Sequence, residues 1–210
     1  MQSNMQAIET VRSRREEYAD ATHEALLDSA AACFFEDGFT GTSLDHVAQR
    51  ARVTKGAIYH HFSSKRELFR AVLERQQAKS ALTITQAGDQ ALTAWSGIVA
   101  ALDAFLETLS CPIYQRLCWV EGPAALGFED WWACGEHYEI EVIRSQLDRL
   151  AEAGALEVKD LDMLAHVLFG AVTAGVLGMA RADDPAAERE RFRTVILELI
   201  AGMVHLDQPA

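Results

Sequence analysis

The stretch "VTKGAIYHHFSSKRELF", residues 53–69, gathers Lys55, Tyr59, His60, His61 and Lys65 into one short segment. Ammonium groups neutralise phosphates, and tyrosine or histidine tips reach base edges and phosphate oxygens, so the chemistry on offer is recognition of a polyanion. Thr42, Ser43 and Thr54 add hydroxyls where helices are expected to start, and free N–H groups there already favour phosphate. Gly56 permits close approach. A metal pair at His60 and His61 is disfavoured, because neighbouring helical residues point about 100° apart and do not chelate one ion alone.

A second constellation lies further on. Trp95, Phe105, Trp119, Phe128, Trp131, Trp132 and Tyr138 include all four tryptophans of the chain, with Asp103, Arg116, Glu121, His137 and Arg144 interleaved. Apolar walls with a few convergent polar groups make a small-molecule site. Trp95, Phe105, Trp119 and Trp131 are the expected walls, and Asp103, His137 and Arg144 the expected anchors of a small apolar or aromatic, phenol-like molecule. Aromatics at helical spacing also build ordinary cores, and that reading stays open. Cys134, His137 and Glu141, at i, i+3 and i+7, share one helix face, so a metal-responsive alternative exists, although soft and hard ligands are mixed. No Gly-rich phosphate loop, nucleophile elbow or loop-borne carboxylate pair is present, so the sequence points to no catalysis and no cofactor.

Helices must position these groups. The stretch from Met1 to Cys111 contains no proline, and Ala, Leu, Glu and Arg are plentiful, which favours helix throughout. Spacing predicts a first helix from about Tyr18 to Glu36, stopped by Asp37-Gly38. Thr42 is expected to cap a second, with Asp45 three residues on, and Leu44, Val47, Ala48 and Ala51 form its buried stripe. Thr54 caps a third, Lys55 to His61. "SSK" at 63–65 caps a fourth, continued by Leu68, Phe69, Val72 and Leu73. Two more helices are expected near 160–181 and 187–205. The fold class is all-α, divided as an extension (1–17), a helix-turn-helix domain (18–66) and a helical body (67–210) that carries the aromatic constellation.

Charge supports the division. Residues 40–80 hold eight Lys and Arg against three Asp and Glu, whereas residues 81–210 hold eight against twenty. Positive charge on one small segment suits a polyanion partner for that segment alone. The N-terminus shows no apolar signal core, and no apolar run is read as approaching ~18 residues. A cytoplasmic protein with no membrane partner is expected. Cys33, Cys111, Cys118 and Cys134 then read as small buried hydrophobes.

Residues 38–69, "GFTGTSLDHVAQRARVTKGAIYHHFSSKRELF", resemble the DNA-binding region of the TetR family of transcriptional repressors. The resemblance covers about 32 residues in register. Arg52 stands where the family usually has glycine. It must either take a left-handed conformation, at a cost on the order of 1 kcal/mol, or relax the turn. The resemblance implies a ligand cavity in the aromatic region and a homodimer built through the last two helices. The resulting expectation is a repressor of palindromic double-stranded operator DNA, released by a small-molecule effector. A helical enzyme or carrier using the aromatic cavity, and an activator or ligand-blind repressor, are the alternatives.

Overall fold

The computed structural model describes residues 14–204, with side chains from Ala21 onward. The expected extension therefore lies largely outside the described residues. Among the described residues nine α-helices follow in order: α1 (Arg14–Gly41), α2 (Leu44–Ala51), α3 (Lys55–His61), α4 (Lys65–Asp89), α5 (Ala94–Thr108), α6 (Pro112–Tyr114), α7 (Gly122–Glu152), α8 (Leu161–Met179) and α9 (Pro185–Ala201). A π-helical turn, Gln115–Glu121, joins α6 to α7. Among the described residues the only β pairing is an isolated bridge between Leu156 and Val204.

The N-terminal head closes on Leu26, Leu27, Ala30, Phe34, Val47, Ile58, Leu68 and Phe69, all buried. Phe34, Phe39 and Phe69 stack within 5.0–6.0 Å of one another at its centre. Helix α1 begins earlier than expected, at Arg14, and continues past Gly38 by bending there: Gly38 takes φ 72°. A side chain at that position would be strained and would also meet Glu121, whose Oε1 lies 2.9 Å from where a Cβ would sit.

The cap of α2 is Ser43 rather than Thr42. Ser43 Oγ accepts from the His46 N–H, whereas Thr42 is buried and its hydroxyl donates to the Gly38 carbonyl. Thr42 thus continues α1 around the bend. Thr54 caps α3 through the Ala57 N–H, and Ser64 caps α4 through the Glu67 N–H. Arg52 ends α2 in the left-handed region, φ 57° and ψ 38°. The turn keeps its geometry and carries the strain.

Helix α4 runs from head into body without a break. It packs against α5 and α7, and α7 packs against α8. Helix α8 corrects the sequence reading of apolar runs: its 19 residues reach a mean hydropathy of 1.6, long and apolar enough to cross a membrane by length and composition. Its buried face, Ala165, Leu168, Phe169, Thr173 and Val176, lies in the core of the body.

Candidate nucleic-acid interface and effector cavity

Ile58 is fully buried and anchors α3 to the head, so the opposite side of this two-turn helix faces solvent. Lys55, Gly56, Tyr59 and His60 are all exposed, as are Ser43 and Thr54 at the two helix starts. Tyr59 leaves 52% of its surface open, which is unusual for a large aromatic without a partner. Lys55 Nζ lies 2.8 Å from Asp45, and that bond holds its pKa above the ordinary lysine value. Arg52, from the turn, stands exposed beside this face.

Three residues expected on the same face lie elsewhere. Thr42 is buried, as described. Lys65 Nζ donates to the Phe39 and Thr42 carbonyls at 2.8 and 2.9 Å and sits 4.6 Å over the Phe39 ring, stapling the bend of α1 to the start of α4. His61 turns back onto His23 and Phe62, and burial, aided by the neighbouring histidines, lowers its pKa.

The body contains a cavity of about 100 Å³ among α4, α5, α7, α8 and α9, bordered by Ile84, Leu102, Phe105, Val142, Leu168 and Ile196. A smaller void of about 10 Å³ adjoins Trp119, Trp131, Trp132 and Phe169. Trp119 also borders a wide surface groove of about 910 Å³ between α5, α8 and α9. Phe105, Trp119 and Trp131 therefore line cavities, but Trp95 packs on the core away from them. The anchors expected from sequence do not line the inner cavity, and Asp103 borders the wide groove instead. Asp103 pairs with Arg193, Arg144 with Asp148 and Asp162, and His137 is exposed.

The polar groups that do face the cavities are Glu139 and Gln146, with Gln77 and Thr173 across from them. Their sequence signal was a break in pattern. Gly135, Glu139, Val142 and Gln146 recur at helical spacing along the cavity-facing side of α7, where apolar residues are the rule. The metal-ligand face does not assemble: Cys134 is buried, while His137 and Glu141 are exposed. Burial pushes the Cys134 thiol up to about 11, so it is no ready thiolate.

The body is tied to the head at the bend of α1. The Phe39 N–H donates to Glu121 Oε2 at 2.9 Å, and Glu121 closes the π turn that carries Trp119. Arg66, at the start of α4, reaches the Leu126 carbonyl at 2.8 Å and pairs with Asp130, and Arg70 reaches the same carboxylate. Trp131 Nε1 donates to the Cys118 carbonyl at 2.7 Å, fastening α7 to the π turn.

A helix-turn-helix head continuous with a cavity-bearing helical body defines a class of DNA-binding regulators rather than of enzymes. The sequence models of that class match in two blocks. The "Bacterial regulatory proteins, tetR family" model covers residues 26–72, and "Tetracyclin repressor-like, C-terminal domain" covers residues 95–203. The chain belongs to the TetR family of transcriptional regulators. It is 31% identical over 164 residues to the HTH-type transcriptional repressor AcnR of Corynebacterium efficiens, spanning 74% of this chain and 80% of that one. It is 25% identical over 159 residues to the transposon Tn10 TetC protein of Escherichia coli, spanning 76% and 80%. A TetR-family regulator from Pectobacterium atrosepticum superposes with a TM-score of 0.78 at 27% identity, covering 95% of this chain and all of that one.

Proposed function

We propose that this regulator is a homodimeric repressor that grips a palindromic operator through α3 and is released by a small apolar or aromatic effector. The observation that carries the DNA reading is the outward face of α3. Lys55, Gly56, Tyr59 and His60 stand clear of the core on a helix held by Ile58, with the Ser43 and Thr54 hydroxyls beside them. Lys55 and His60 reach base edges, Gly56 lets the groove wall approach, and the two hydroxyls meet phosphates.

The effector reading is supported by the cavity around Phe105. At about 100 Å³ it is on the scale of a single ring or short alkyl chain, and a phenol-like molecule is its simplest neutral occupant. The dimer reading is supported by α8 and α9. Met163, Val167, Gly170, Ala174 and Gly178 fall on one face of α8, with Met163 and Val167 about 60% exposed. A Cβ built at Gly170 or Gly178 meets nothing within 4 Å. Glycines in a helix cost about 1 kcal/mol each relative to alanine, and close approach of a second copy offsets that cost. Val195 and Leu199 extend the apolar face onto α9.

Gel-shift titration against the DNA upstream of its own gene tests the proposal. Retention at low salt, steep loss with rising salt and release by small aromatic compounds are expected. No sequence-specific retention would leave the chain without an operator there.

A further inference from the structure

The inner end of the body cavity is not apolar. Glu139 borders both the large cavity and the small void, which Gln77, Trp119 and Thr173 also face. A void of about 10 Å³ holds roughly one water-sized group. Gln77 Oε1, Trp119 Nε1 and Thr173 Oγ1 have no hydrogen-bond partner there, although each side chain is at least nine-tenths buried. Ser80 Oγ and Gln146 Nε2, buried nearby, are in the same state. Ser80 and Trp119 flank the Tyr114 hydroxyl without closing a bond of normal geometry. Buried unpaired polar atoms are costly and rare. Several in one niche mark a place built for an occupant.

We propose that the niche at Glu139 receives the protonated amine end of an amphiphilic effector whose apolar body fills the adjoining cavity. This deepens, and rests on, the effector reading above. An ammonium brings three donors, and the niche offers three acceptors: the Glu139 carboxylate, Gln77 Oε1 and Thr173 Oγ1. The Trp119 Nε1 donor, beside the Tyr114 hydroxyl, is not matched by the ammonium. The rings of Trp119, Trp131 and Trp132 surround the site, and aromatic faces attract a cation, most strongly where water is excluded. No Lys, Arg or His lines either space among the described residues, so an anionic head would meet no counter-charge. A purely apolar ligand would leave the orphaned atoms as they are.

Proton linkage gives the site a signature. Burial holds the Glu139 carboxyl protonated up to about pH 8, with the Tyr114 hydroxyl opposing the shift. The titratable groups facing it are Tyr114 and Cys118, both kept neutral by burial. Helices α4, α5, α8 and α9 contribute none to the lining. An arriving ammonium stabilises the carboxylate, so at neutral pH the carboxyl proton leaves to solvent as the ion pair forms. Amine affinity then rises with pH, by up to about tenfold per unit, until the carboxyl is ionised in the free protein as well.

The test uses 2-phenylethylamine and its neutral isostere 2-phenylethanol on the full chain, read by tryptophan emission and by release of operator DNA. The amine is expected to bind at least tenfold more tightly at pH 8, with the preference shrinking toward pH 6. Glu139→Gln is expected to abolish the preference while leaving affinity for the alcohol. Thr173→Val, which removes one acceptor, is expected to weaken the amine several-fold and the alcohol little. Equal binding of both compounds, or an amine preference that survives Glu139→Gln and Thr173→Val, would overturn the ammonium assignment and leave the effector cavity standing. If neither compound perturbs emission or the operator complex, the effector reading falls and this inference with it.

Discussion

Tyr59 stands half exposed on a short helix whose buried anchor is Ile58, so its removal separates recognition from stability. Tyr59→Ala is expected to abolish operator retention in a gel shift while leaving helical circular dichroism and subunit association unchanged. Lys55 differs, because it must leave Asp45 before it meets DNA, and Asp45 holds it in place on the free protein. In the body, Glu139 gives a pH dependence with a definite sign. Its folded pKa of about 8 exceeds the ordinary 4.5, so its contribution to stability is full below about pH 4.5 and is lost as pH rises toward 8. Glu139→Gln is expected to gain stability over the parent as pH climbs from 5 to 8, measured by urea unfolding; a difference that stays flat across that range would contradict the shift. Glu139 and Gln146 were legible only as misfits on an apolar stripe. Asp103, His137 and Arg144 were easier to notice but do not border the inner cavity, Asp103 lining the wide groove instead, because a position some way along a helix does not say which face meets which space. Arg144 and Asp103 each had a partner on another helix, Asp162 and Arg193, that spacing alone does not reveal.

At the scale of elements, the caps and stripes of α2, α3 and α4 read well because they are local. Thr54 and Ser64 each bond an N–H within their own first turn, and Arg52 adopts the left-handed geometry the turn demands. The misassigned cap at Thr42 arose from a competing local bond: the bend at Gly38 turns the Thr42 hydroxyl back onto the Gly38 carbonyl one turn earlier. The π turn was not legible at all, since it depends on what packs around Gln115–Glu121. Such turns often sit at functional places. Here it carries Trp119 toward the niche and Glu121 toward the Phe39 N–H, which makes the turn a direct link between the proposed effector site and the bend of α1. Glu121→Ala is expected to keep effector-induced changes in tryptophan emission but to lose most of the effector-driven release of DNA. Normal release in that variant would show that coupling runs elsewhere, through Arg66, Arg70 and Asp130 for instance.

On the whole-molecule scale, charge and surface divide the labour. The acidic body repels a phosphate backbone and leaves DNA to the basic segment, and in the proposed dimer the apolar face of α8 and α9 meets a second copy. Ala174→Glu places a charge at the centre of that face and is expected to shift the chain toward monomer in sedimentation equilibrium; an unchanged mass would move the interface off α8. Because a two-fold dimer presents two α3 helices, operator geometry reports on recognition and assembly together. The most direct measurement is therefore a footprint on the operator, with and without effector. Two symmetric protected half-sites about one helical turn apart, lost together when effector is added, are the predicted result. A single asymmetric half-site, or protection that effector leaves untouched, would contradict a ligand-released dimer.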